Sequence, residues 1–110
     1  MDQFLTFSKW LGVSIKGWDI QYRIHATYRM FQRNIEESEI LFILEKGSII
    51  ENYEEDLPFP SVLVNGMTNS NRPLHIVVGI DKNAKRLYII TTYEPEQQFW
   101  MENYSRRIKS

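Results

Sequence analysis

The chain contains no cysteine. Disulfides, thiolate zinc sites and a cysteine nucleophile are excluded, and a reducing compartment suits such a sequence. No apolar run approaches the ~20 residues that a helix needs to cross a bilayer. Met1-Asp2-Gln3 is not followed by a basic region and an apolar run, so no signal peptide is read there. A cytoplasmic protein without a membrane partner is expected. Repeats and low-complexity tracts are also missing. Histidine is scarce: His25 and His75 are the whole supply. A third metal ligand at helical spacing is lacking, so neither a metal nor another cofactor is expected.

What is present suits one domain. Of 110 residues, 43% are hydrophobic and 14% aromatic, enough for a core without staples. The expected division is an aromatic N-terminal extension (1–18), a core (19–100) and a basic tail (101–110). The net charge of -1 hides an asymmetry. From Glu36 to Asp56 eight acids face Lys46 alone, whereas the remainder holds 12 basic and 6 acidic residues. A mildly basic body with one acidic lobe is compatible with a nucleic-acid partner.

Tyr22 to Ile35 reads as a two-faced helix. At about 100° per residue, Ile24, Tyr28, Phe31 and Ile35 share a line, which Ala26 and Met30 extend. His25, Arg29, Gln32 and Arg33 form another, because residues three and four apart are neighbours on a helix. The apolar line is expected to pack on a sheet, leaving one imidazole, two guanidiniums and an amide on a wet stripe. That set suits holding a phosphate and moving a proton, and equally suits an ordinary solvated face.

Before it, residues 2–11 are expected to form a short helix, with Asp2 as a cap and Gly12 as its end. Residues 12–18 are a connector, and Asp19 can cap the main helix. Asn34 suits the helix end because asparagine tolerates the left-handed conformation. Glu36 to Lys46 follows as a second helix, with acids at its start and Gly47 stopping it. Four strands are then expected: Ser48–Tyr53, Ser61–Val64, Pro73–Ile80 and Arg86–Tyr93. Pro58 and Pro60 break the first connection, and a tight turn over Asp81–Lys85 makes the last. Helices first and a meander afterwards predict an α+β fold, with N-terminal helices on one face of a four-stranded antiparallel sheet. Alternation places Leu74, Ile76, Val78 and Ile80 toward the helices and His75 on the opposite face. It also puts Leu87, Ile89, Thr91 and Tyr93 together, and Tyr88, Ile90 and Thr92 on the other side. The register that decides which set joins His75 stays open.

Several separated motifs occur in order: His25-Ala26-x-x-Arg29-Met30-x-x-Arg33-x-Ile35, Gly47-x-Ile49-Ile50-Glu51-x-Tyr53, Pro58-x-Pro60-Ser61, Arg72-Pro73-Leu74-His75-Ile76-Val77-Val78 and Thr91-x-Tyr93-Glu94-Pro95. Over about Tyr22 to Trp100 the chain resembles the bacterial family called domain of unknown function 4258. The resemblance implies a fold similar to the metal-independent endoribonucleases and toxins of RelE-like, barnase-like and colicin-like type. It also implies a toxin whose partners are RNA and a cognate antitoxin protein.

The expectation is therefore an endoribonuclease of toxin type. Its candidate catalytic residues are His25, Arg29, His75 and Tyr93, and its candidate substrate-binding residues are Arg33, Arg72, Tyr53 and Thr91. One histidine would take the ribose 2′-hydroxyl proton, the arginines would stabilise the phosphorane, and the other histidine or Tyr93 would protonate the leaving oxygen. Tyr53 or Tyr88 could stack on a base. The alternative is a non-catalytic binding module of the same fold, or a homodimer made through the aromatic N-terminus. Catalysis requires His25, Arg29 and His75 or Tyr93 to converge on one cleft.

Overall fold

The computed structural model describes residues 6–12 and 14–108. The expected cap at Asp2 and the beginning of the N-terminal helix lie outside the described residues. Helix α1 (Phe7–Leu11) is followed by strand β1 (Asp19–Tyr22), helix α2 (Ile24–Arg33) and helix α3 (Glu37–Lys46). Strands β2 (Ser48–Tyr53), β3 (Ser61–Met67), β4 (Pro73–Asp81) and β5 (Arg86–Tyr93) come next, then the short pair β6 (Trp100–Met101) and β7 (Arg106–Arg107).

The α+β class holds, but the sheet is five-stranded and mixed, in the order β1-β5-β4-β3-β2. β2 to β5 form the expected antiparallel meander. β1 adds to the β5 edge in parallel, with Asp19 opposite Arg86 and Tyr22 opposite Ile89. Residues 19–22 are thus not the lead-in to a helix. A four-residue strand carries too few alternations to show beside a longer helical pattern. An Arg86–Asp19 ion pair of 2.9 Å ties its start. Helix α2 therefore begins later, after Arg23 as N-cap and without a side-chain cap, so Asp19 has no capping role.

One core binds all three helices to one face of the sheet. Ala26, Ile40, Ile43, Leu44 and Phe7 pack with Val62, Val64, Leu74, Ile76, Val78, Leu87 and Ile89. Helix α3 has a capping box, in which the Glu36 and Glu39 side chains satisfy each other's backbone N–H groups. Asn34 ends α2 in the left-handed region at φ 54°. Gly47 ends α3 for another reason than the one expected. Its φ is -77°, so no left-handed turn is needed. A Cβ there would lie 2.6 Å from the Ile43 carbonyl oxygen and 2.8 Å from that of Asn65.

Helix α2 overturns the expected polarity. Ile24, Tyr28 and Phe31 are 81%, 63% and 87% exposed, whereas Ala26 and Ile35 are buried. The helix meets β5 through its small-residue side, since a close approach of helix to strand needs Ala26 and not Phe31. The bulky apolar line faces outward.

Two bulges set what the opposite face presents. Between β4 and β5 the register shifts after Val77, so Thr91 and Tyr93 stand opposite Val77 and His75, while Tyr88 stands opposite Gly79. An extra residue in one strand breaks the alternation. Leu87 and Ile89 stay in the core, and Tyr88, Ile90, Thr91 and Tyr93 all reach the other face. The expected grouping of Leu87 and Ile89 with Thr91 and Tyr93 is corrected by that bulge. A second shift in β2 puts Glu51 opposite Leu63 on the same face.

The C-terminal segment, expected as a basic tail, is a β6–β7 hairpin laid over that face. Trp100 is 7% exposed and meets the His75 ring edge-on, centroids 4.4 Å apart. Arg107 lies 4.7 Å over the Trp100 ring and pairs with Glu51 at 2.7 Å. Asn65 donates to the Asn103 carbonyl at 3.0 Å. The sheet is covered on both sides at its centre, and His75 is fully buried.

Candidate nucleic-acid interface

Helix α2 runs beside β5, so its cationic stripe borders the outer face of the sheet. Two clefts open along this border. The first, about 280 Å³, is lined by Arg29 and Arg33 from α2, Thr91 and Tyr93 from β5, and Glu94, Pro95, Glu96, Phe99 and Trp100 from the C-terminal segment, so two carboxylates share it with the two guanidiniums. The second, about 400 Å³, is lined by Arg23 and His25, by Leu57, Pro58 and Phe59, and by Gly79, Tyr88 and Ile90. Four of the eight candidate residues thus meet in one cleft: Arg29, Arg33, Thr91 and Tyr93. His25 lies in the neighbouring one, a helical turn away from Arg29.

His75 lies behind this surface. Its Nε2 donates to the Tyr104 carbonyl oxygen at 2.8 Å, and its Nδ1 lies 3.2 Å from the Tyr93 hydroxyl. The first contact needs a proton on Nε2, so Nδ1 is the acceptor and Tyr93 the donor. Burial pushes the imidazole down to about 4, against a smaller upward pull from Tyr104 and Glu51. His75 is a neutral, sealed group that orients Tyr93. Burial also raises the Tyr93 pKa, which keeps the phenol protonated at the cleft wall.

Arg72 and Tyr53 stand apart from both clefts. The Arg72 guanidinium donates to the carbonyl oxygens of Arg33 and Asn34 and pairs with Glu94 at 2.6 Å and Glu39 at 3.4 Å. It closes the C-terminal end of α2, where unpaired carbonyls need donors. The Tyr53 hydroxyl donates to Glu51, and burial followed by that carboxylate raises its pKa to about 12. Arg107, first among the causes, holds the Glu51 carboxyl below its ordinary value.

Sequence reasoning passed over Arg23, Phe59, Trp100 and Arg107. Phe59 and Tyr88 stack at 5.4 Å and 7°, with the Arg23 guanidinium 4.6 Å over Tyr88. These contacts link residues up to 65 positions apart. The one visible signal was an arginine two residues before the histidine of the helix motif.

The result is an α+β domain with a cation-edged groove beside its last long strand. The chain belongs to the family described as Domain of unknown function (DUF4258), whose model matches residues 22–94. No curated protein and no solved structure matches it. The match takes in Arg23, His25, Arg29, Arg33, Phe59, Gly79, Tyr88, Thr91 and Tyr93, and it stops before the hairpin that seals His75.

Proposed function

We propose that this protein is a metal-independent endoribonuclease of toxin type that holds RNA along the α2–β5 groove. The observation that carries this reading is the meeting of Arg29, Arg33, Thr91 and Tyr93 in one cleft. Two guanidiniums there match the oxygens of a phosphodiester. His25 reaches in from the neighbouring cleft, one helical turn from Arg29, and takes the proton from the ribose 2′-hydroxyl. The freed 2′-oxygen attacks phosphorus, Arg29 and Arg33 bear the charge of the phosphorane, and the bond to the 5′-oxygen breaks. For that step the Tyr93 hydroxyl turns from His75 Nδ1, which orients it at rest, to the leaving oxygen and gives it its proton. The likeness to RelE-like and barnase-like nucleases belongs to the same proposal. The antitoxin of such a toxin would meet Ile24, Tyr28 and Phe31 in one exposed line. Helix α2 contains no acidic residue, so the complementary partner is acidic.

The experiment is cleavage of end-labelled single-stranded RNA by the wild type and by His25→Ala, Arg29→Ala and Tyr93→Phe. Losses of about 10²–10³-fold are expected for Arg29→Ala and about 10²–10⁴-fold for His25→Ala. Equal rates for all four proteins would refute the reading. A second reading, RNA binding without cleavage, is favoured by the sealing of His75, which leaves His25 as the exposed imidazole. Tight binding of intact RNA with no cleavage would establish it instead.

A further inference from the structure

We propose that the cleft between the start of α2 and the loop after β2 is a nucleobase slot, one step along from the phosphate cleft. This rests on the reading of the Arg29–Arg33 cleft as a phosphate site and assigns the groove's second half. The slot's volume of about 400 Å³ falls in the range of small-molecule sites, about 300–1,000 Å³. Its sides are Arg23 and His25 at the start of α2 and Leu57, Pro58 and Phe59 on the loop, with Gly79, Tyr88 and Ile90 beneath. Most of this lining is carbon, and its planar groups are aromatic, imidazole or guanidinium. Bases stack on such surfaces whatever their identity.

The slot is held ready by contacts that need no ligand. Tyr88 is fixed by Phe59 stacked in parallel at 5.4 Å and by Arg23 at 4.6 Å. Gly79 keeps the bottom open. Its backbone is not in the left-handed region, so conformation does not demand glycine. A Cβ would meet Ile90 Cδ1 at 3.4 Å and Tyr88 Cβ at 3.6 Å, ordinary contact distances. A Cβ is therefore accommodated there, and a larger side chain would reach into the slot. Asp56 stands at the rim, accepting from Ser61 through Oδ2 at 2.5 Å. Its second oxygen is an acceptor for an N–H on the base edge. His25 of the slot and Arg29 of the phosphate cleft are about one helical turn apart, about 6 Å along the axis. Ile90 and Thr91 are adjacent on β5. Base and phosphate sites are thus contiguous along both elements.

The test is calorimetric titration with the four ribonucleoside 5′-monophosphates, the four nucleosides and ribose 5-phosphate. Wild type, Gly79→Val, Tyr88→Ala and Arg29→Ala/Arg33→Ala are compared, with thermal unfolding as a check on folding. At least one nucleotide is expected to bind about tenfold or more tighter than ribose 5-phosphate. Gly79→Val and Tyr88→Ala should abolish that advantage and leave ribose 5-phosphate binding unchanged. Arg29→Ala/Arg33→Ala should weaken every phosphate-bearing probe and leave nucleoside binding as it was. If nucleotides bind no tighter than ribose 5-phosphate and no nucleoside binds, the slot is refuted while the phosphate cleft stands. An advantage that survives Gly79→Val in a folded protein also refutes it. If ribose 5-phosphate ignores the loss of both arginines, the phosphate reading fails, and the nucleosides still decide the slot.

Discussion

The Tyr93 hydroxyl and the His75 Nδ1 lie 3.2 Å apart, with the two rings edge-on at 5.3 Å. They occupy opposed positions on β5 and β4. Burial keeps His75 neutral in the folded chain, with its pKa lowered from 6.5 to about 4. An unfolded chain binds that proton near pH 6.5, whereas the folded one resists it until about pH 4. Stability is therefore full above pH 6.5 and falls as pH drops toward 4, by about 3 kcal/mol at most. Urea unfolding at pH 7 and pH 4.5 checks this, and His75→Gln should lose most of the difference.

Trp100 is what keeps His75 dry. Trp100→Ala should lift the His75 pKa from about 4 toward 6.5, followed by the imidazole NMR signal through a pH titration. It should also cost about 3 kcal/mol or more, as expected for a truncated buried tryptophan. Arg107→Ala removes a pair whose arginine is 60% exposed, so its cost should stay near 0–1 kcal/mol.

The outward line on α2 makes a sharp contrast. Ile24→Ala and Phe31→Ala should change stability by no more than about 0.5 kcal/mol, as surface substitutions do. Ile43→Ala, at a fully buried position, should cost about 2–5 kcal/mol. Thermal unfolding of the three variants separates the observed packing from the one the helical pattern suggested.

That pattern shows how far the sequence could be read. The meander, helix α3 and the left-handed Asn34 were legible, because each is written in neighbouring residues. The polarity of α2 was not. Hydrophobic spacing identifies a helix, but Ala26 packs by being small while Phe31 stays outside. β1 was hidden because a parallel edge strand depends on a partner 67 residues away, as Asp19 pairs with Arg86. The bulge beside Ile90 shifted the faces of β5 with no glycine or proline to announce it. At the site, Arg29, Arg33, Thr91 and Tyr93 were named and do share a cleft. The burial of His75 was illegible because its cover, the hairpin that begins at Trp100, lies almost wholly in the segment read as tail.

Gly47 offers a check on crowding. Gly47→Ala would press a methyl against two carbonyl oxygens and the Val64 side chain, all within 2.9 Å. Backbone atoms there yield little, so a loss of about 1–3 kcal/mol is expected. Chemical denaturation measures it; a neutral or stabilising result would mean that α3 and β3 separate more easily than their packing implies.

The central claim, that the α2–β5 groove holds RNA phosphates, is tested most directly by the salt dependence of RNA binding. Affinity for a single-stranded oligoribonucleotide is measured from low to moderate salt. The wild type is compared with Arg29→Ala/Arg33→Ala and with Lys9→Ala/Lys16→Ala, a control of equal charge change on exposed residues elsewhere. Losing two phosphate contacts should weaken binding at least tenfold and flatten the slope of log affinity against log salt by about 1.4. The lysine control should match the wild type. Equal affinity and slope for the arginine variant and the wild type would contradict the account.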